Sequence, residues 1–168
     1  SNQSTSVNLS LFENHYKNLI DFDAETFRNV NRPPIRSQGA EVDIHWQSAQ
    51  WQLGANASYA DIDAQEPLMG RPEVKAGGNA AFSLNEHWRF QLNYLWVDKR
   101  FATSLYTGDT VRETLGSYDR VDANITWTLN PYVKFHVSGE NLANERYYND
   151  VGFPAVGRTG FVGVDLNF

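Results

Sequence analysis

Apolar and polar residues alternate along this chain with a period of two, and the alternation returns eight times. Val7-Asn8-Leu9-Ser10-Leu11 is the first run, followed by Ala40 to Trp46 and by Trp51 to Tyr59. Ala76 to Leu84, Trp88 to Tyr94, Val121 to Trp127, Val133 to Val137 and Val162 to Phe168 complete the set. Successive side chains of an extended strand point to opposite faces, so each run predicts a strand with one apolar and one polar face. No segment keeps a helical period. The pattern predicts an all-β, antiparallel fold of eight strands.

The connections alternate in length. Short, polar junctions follow the second, fourth and sixth runs: Gln47 to Gln50, Asn85-Glu86-His87 and Asn130-Pro131. Such Asn- and Pro-containing stretches are hairpin chemistry. The odd-numbered runs are followed by long connections, Asn14 to Pro34, Asp61 to Val74, Asp98 to Gly116 and Glu140 to Gly157. Short turns at one end and long loops at the other describe a transmembrane β-barrel.

Alternation alone does not say which face points inward. In a soluble lipocalin-like binder the apolar face fills the interior; in an outer-membrane barrel it meets lipid. Aromatic residues bear on the choice. Trp46 and Trp51 bracket one short turn, Trp88 and Trp127 lie beside the other two, and Tyr59, Tyr94, Trp96 and Tyr118 lie toward the opposite strand ends. Two such levels match the aromatic girdles of a membrane barrel, with a plain hydrophobic core as the competing reading. The polar face carries Glu41, Asp43, His45, Arg89, Asp122, Asn124, Lys134, His136 and Asp165. An eight-stranded closed barrel is only just wide enough inside for side chains. These charges therefore pair tightly in a narrow barrel, or the eight strands are an arc of a wider one.

Composition adds exclusions. The 168 residues are 41% hydrophobic, yet mean hydropathy is -0.52 and the longest apolar run is Tyr94-Leu95-Trp96-Val97. A membrane helix needs about 20 mostly apolar residues, so none is expected. No positively charged start precedes an apolar stretch, so no signal peptide is expected within the chain. The net charge of -6, with scattered basic residues, argues against a nucleic-acid surface. Cysteine is absent, which removes disulfides, thiolate metal sites and a cysteine nucleophile. His45 and His136 share the polar face without ligand spacing, so no metal or cofactor is expected. No nucleophile–base pattern or phosphate loop occurs, and the chain is not expected to be an enzyme.

Four motifs then carry a resemblance. Arg36-Ser37-Gln38-Gly39-Ala40-Glu41 looks like the Arg-x-x-Gly-x-Glu signature of TonB-dependent outer-membrane receptors. Glu140-Asn141-Leu142-Ala143-Asn144-Glu145-Arg146-Tyr147 resembles their Glu-Asn-Leu-x-Asp/Asn-x-x-Tyr motif. Arg71-Pro72, and Gly157-Arg158 ahead of a strand ending in Phe168, are similar to further family features. The resemblance implies a barrel of about 22 strands, of which residues 1–168 would be the last eight. The plug, the TonB-contacting segment and the earlier strands would lie outside this chain. Pro33-Pro34 departs from the family pattern, and regular pairing is expected to start only near Ile35.

The resemblance also implies a role: uptake of a scarce nutrient, a ferric siderophore ahead of haem or vitamin B12, across a Gram-negative outer membrane. Lipid, TonB and a small iron chelate would be the partners. Arg100, Tyr106, Arg112, Arg146, Tyr147, Tyr148 and Phe153 combine charge with aromatic rings on the long loops and are the ligand-facing candidates. Val162, Val164, Leu166 and Phe168 resemble the C-terminal signal read by the barrel-assembly machinery. The alternative is a small, complete eight-stranded barrel with a structural or adhesion role.

Overall fold

The computed structural model describes residues 3–23, 26–31, 33–65, 68–104 and 111–167. The chain runs through β1 (Ser4–Tyr16), β2 (Ile20–Asp23), β3 (Arg28–Asn31), β4 (Ile35–Gln47), β5 (Trp51–Asp63), β6 (Val74–Ser83) and β7 (Trp88–Val97). It continues through β8 (Arg100–Ser104), β9 (Val111–Leu115), β10 (Tyr118–Asn130), β11 (Val133–Glu140), β12 (Tyr148–Asp150), β13 (Phe153–Pro154) and β14 (Thr159–Leu166). The eight long strands are the eight alternating runs. They form one antiparallel sheet in the order β1-β4-β5-β6-β7-β10-β11-β14. β1 and β14 are its free edges, so the sheet is an open arc and not the complete eight-stranded barrel of the alternative reading.

Three of the four long connections are not featureless. Each carries a two-stranded ribbon, β2–β3, β8–β9 or β12–β13. The long strands also extend past their apolar runs on the loop side, β1 to Tyr16 and β5 to Asp63. The reason is visible on β1, β4 and β5. Leu9 faces Val42 and Leu11 faces Ala40, but the next pair up on that face is Glu13 with Gln38. Above the apolar band the ladder continues with polar pairs. Arg36 Nη2 lies 2.7 Å from Glu13 Oε1, and Gln38 Nε2 donates to Asp61 Oδ2 at 3.1 Å. The Arg36 guanidinium holds the Glu13 carboxyl below its usual value. From Trp51 to Tyr59 the apolar band of β5 covers nine residues, which matches the roughly 9–11 that a tilted strand needs to cross a bilayer.

Register fixes the two faces. Ile44 pairs with Ala55 and Ala57 with Ala76 on one; Asp43 pairs with Asn56 and Asn93 with Asp122 on the other. On the apolar face Leu92 is 47% exposed although both neighbouring strands flank it. Such a face needs hydrocarbon or a partner against it. Close approach explains Gly39 of the Arg-x-x-Gly-x-Glu stretch: the Phe12 ring lies over it, and a Cβ there would stand 2.6 Å from Phe12 Cζ. Pro33 and Pro34 precede the ladder, and β4 begins at Ile35.

The short turns close on their own side chains. Asn85 Oδ1 accepts the N–H groups of His87 and Trp88 at 2.9 and 3.0 Å. Asn130 Oδ1 does the same for Tyr132 and Val133, at 2.9 and 3.0 Å. In the remaining turn Trp51 N–H donates to Ser48 Oγ at 3.1 Å. These are side-chain turns, in which an Asn or Ser side chain accepts the N–H groups that the bend frees.

The two-face assignment has a measurable consequence in the intact barrel. Leu92→Arg is expected to cost about 2–4 kcal/mol near mid-bilayer, and Asn93→Arg, facing the other way, far less. Equal losses in reversible unfolding from lipid vesicles would reject the assignment.

Candidate functional site

The long-loop end of the sheet holds a connected polar network among the described residues. Gly70 N–H donates to Phe101 O at 2.8 Å, tying the 64–73 connection to β8. Arg100 Nη2 donates to Tyr148 O and, at 3.3 Å, to Asn149 O, tying β8 to β12. The Arg100 guanidinium also sits 5.3 Å above the Tyr118 ring. Tyr118 in turn stacks on Tyr147, with centroids 3.9 Å apart and planes at 1°. Three loops are thereby stitched into one wall.

The Glu-Asn-Leu stretch anchors that wall to the sheet. Asn141 is only 2% exposed and has a left-handed backbone, φ 49°. Its N–H donates to Asp122 Oδ1 at 2.9 Å. Its amide nitrogen donates to Glu145 O and Val156 O at 3.0 and 3.2 Å, and its Oδ1 accepts from Glu145 N–H at 2.8 Å. Asparagine tolerates the left-handed region, and its amide offers donor and acceptor together. Asp122 also receives Arg120 at 2.8 Å. Asn144 Oδ1 accepts Arg158 N–H at 3.1 Å, closing the 141–158 loop on itself.

Between the 64–73 connection and β8 lies a cavity of about 560 Å³. Ala60 and Ile62 of β5, Leu68 and Phe101 supply apolar wall, while Arg71, Lys99, Arg100 and Glu73 supply charge. Ala60 pairs with Gly39 and Ile62 with Ser37, on the polar-face phase of the sheet, so the cavity opens on the inner side of the arc.

The loop residues singled out in the sequence do not form one surface. Arg100, expected on an open ligand-facing wall, is only 8% exposed, because its guanidinium is drawn in between Tyr118 and the β12 carbonyls. Its Nη1 has no acceptor among the described residues, an omission that costs about 1–3 kcal/mol for a buried donor. Tyr147 is half-buried in the stack with Tyr118, whereas Arg146, Tyr148 and Phe153 are exposed. Arg112 stands on β9 opposite Thr103. Tyr106 lies outside the described residues. Sequence reading missed Arg71 and Lys99 as cavity residues and Asn141 as an anchor. Only the position of Arg71-Pro72 and Glu140-Asn141-Leu142 within recurring motifs hinted at them.

At the short-turn end the rings form a row. Trp51 meets Phe82 at 4.5 Å, Phe82 meets Phe90 at 6.5 Å, and Phe90 meets Trp88 at 6.2 Å. Trp88 then meets Trp127 at 5.8 Å, and Trp127 meets Phe135 at 5.3 Å. Trp46 stands two residues along from this row, paired with Leu53. On the edge strand β14, Val162, Val164 and Leu166 share the apolar face and are 80%, 50% and 55% exposed; Phe168 lies outside the described residues.

Comparison with known proteins bears on this arrangement. The family described as "TonB dependent receptor-like, beta-barrel" matches residues 1–142. Among curated relatives, the vitamin B12 transporter BtuB of Vibrio cholerae serotype O1 is 25% identical over 154 residues, covering 90% of this chain and 25% of that protein. Among solved structures, the ferripyoverdine receptor of the Pseudomonas aeruginosa outer membrane, bound to ferripyoverdine, superposes with a TM-score of 0.79. It shares 15% identity, over 98% of this chain and 25% of the receptor. The copper transporter OprC gives 0.79 at 18% identity, over 98% of this chain and 28% of its own. The structural likenesses establish the fold. These relatives are named as transporters and receptors, and the chain spans about a quarter of their length.

Asn141 yields a test. Asn141→Ala removes three side-chain hydrogen bonds at a buried site and forces alanine into positive φ, for an expected loss of about 2–4 kcal/mol. The unfolding midpoint of the intact barrel reads it, and a shift no larger than that of an exposed loop substitution would deny Asn141 the anchoring role.

Proposed function

Because the chain belongs to the TonB-dependent receptor β-barrel family, we propose that residues 1–168 are the last eight strands of a receptor that takes up a scarce nutrient. The protein resides in the outer membrane of a Gram-negative bacterium. One observation carries the proposal: an eight-stranded arc with an apolar outer face, a polar inner face and two unpaired edges. Edges left unpaired in hydrocarbon are untenable, so further strands complete the wall. A plug and a TonB-contacting segment belong to the remainder of that receptor.

A ferric siderophore is the favoured cargo. The likeness to a receptor named for ferripyoverdine and the exposed Arg146, Tyr148 and Phe153 of the loops both support it. Vitamin B12 is the second reading, supported by the BtuB relative. Exposed Arg146, Tyr148 and Phe153 are the loop residues offered to such a guest, with Arg112 and Tyr106 on the 98–116 connection. Trp46, Trp51, Trp88 and Trp127 are the girdle at the periplasmic interface, where amphipathic rings settle. Expressing the whole receptor in iron-starved cells should give saturable uptake of one labelled ferric siderophore, abolished when TonB is deleted. Uptake of labelled vitamin B12 instead would transfer the cargo to the second reading, and uptake indifferent to TonB would sink the transport mechanism.

The free edge of β14 is the surface that the barrel-assembly machinery engages, by adding a strand to it. An aromatic residue at the end of a strand, where chains generally fray, adds little stability. Deleting Phe168 should therefore sharply lower receptor levels in the outer membrane while barely moving the unfolding midpoint of molecules that do fold. Normal levels with a large drop in midpoint would make Phe168 an anchor only.

A further inference from the structure

Tyr147 stands where the anchored 141–145 turn ends and the ribbon β12–β13 begins. Three parts of it are engaged. Its ring stacks flat on Tyr118, with centroids 3.9 Å apart. Its hydroxyl receives a hydrogen bond from the Arg120 guanidinium. Its carbonyl oxygen accepts Ala155 N–H at 2.9 Å, which closes the ribbon at its base. Tyr118, Arg120 and Asp122 follow at every second residue of β10, on the polar face of the sheet. The ring and hydroxyl of Tyr147 therefore lie toward the inner side of the arc. Arg120 is itself fixed, since its Nε and Nη2 reach Asp122 Oδ2 at 3.0 and 2.8 Å. Arg100, over the same Tyr118 ring, holds the next two carbonyls of the ribbon, those of Tyr148 and Asn149.

The side chains that the ribbon presents are a different set. Tyr148 is 51% exposed and Phe153 57%. We infer that Tyr147 is a positioning residue for uptake: it holds the ribbon on the inner rim, keeps Tyr148 and Phe153 in place for the guest, and does not itself meet the guest. Arg120 acts through it, by carrying the position of the sheet to the Tyr147 hydroxyl. The inference rests on the receptor reading and divides its loop aromatics into one that places and two that touch. A ribbon cut loose from Tyr118 and Arg120 would have to be ordered by the guest itself. Freezing two aromatic side chains in that way amounts to about a tenfold loss of affinity.

The test uses the whole receptor with two spin labels, at Asn149→Cys on the ribbon and Asp63→Cys at the end of β5. Both positions are exposed, and residues 1–168 contain no cysteine of their own. In detergent and without a guest, the parent should give one narrow distance distribution by double electron–electron resonance. Tyr147→Leu, which loses both side-chain contacts, should broaden it. Tyr147→Phe, which keeps the stack, should hold most of the parent distribution. The unfolding midpoint should barely move, because the strand ladders below are untouched. Uptake of labelled ferripyoverdine, a labelled ferric catecholate and labelled vitamin B12 is then measured in cells for the unlabelled variants. For the probe that enters, Tyr147→Leu should raise KM about tenfold and leave kcat near the parent value. A distribution as narrow in Tyr147→Leu as in the parent overturns the positioning role, and so does an unchanged KM. A lower midpoint with unchanged distances also overturns it and makes Tyr147 a stabilising residue only. Entry of none of the three probes, with the distances responding as expected, rejects the cargo reading and keeps the placement of the ribbon.

Discussion

A backbone amide set in hydrocarbon finds no water, and every other feature of this chain answers to that condition. Eight strands pair edge to edge, so each inner strand has both rows of N–H and C=O groups engaged. The condition also dictates where the ladder is allowed to stop. It turns over at Asn85 and Asn130, whose side chains accept the N–H groups that the turn would otherwise strand. It runs on above the apolar band, where Glu13, Arg36, Gln38 and Asp61 exchange lipid contact for mutual hydrogen bonds. Within the eight-stranded sheet only β1 and β14 carry an unpaired row, and those rows call for neighbouring strands.

Period two was enough to place all eight long strands, because a face that meets lipid must be apolar at every second residue. The same logic made the short turns legible, since Asn, Pro and Ser there have mechanisms of their own. What the pattern could not show were the ribbons inside the loops. Ile20-Asp21-Phe22-Asp23 alternates too, but over four residues, too few to stand out, and Glu113 breaks the alternation from Val111 to Leu115. Pairing with an equally short partner makes them strands.

The loop residues were read less well, for a different reason. Charge and aromaticity mark Arg100 and Tyr147 as candidates for contact with a guest, yet a folded loop needs the same groups for itself. Arg100 is consumed by two carbonyls and a ring, and Tyr147 by a stack. Nothing in a one-dimensional pattern separates a guanidinium that holds a loop from one that holds a ligand. Asn141 shows the converse. It resembles a solvated turn residue on paper, and it is among the most buried side chains in the molecule, with its donors and acceptor all engaged.

The stitching of three loops through Gly70, Arg100 and Tyr118–Tyr147 also has an entropic meaning. A loop that is ordered only when a guest arrives subtracts its lost conformational freedom from the affinity, at about 0.5–1.5 kcal/mol for each flexible side chain that freezes. Here folding has already fixed the tyrosines and the arginine in one arrangement, so for the guest proposed above that loss would be met before docking. On the proposed reading, shape discrimination would follow, because a wall ordered before docking favours the guest that fits it as folded.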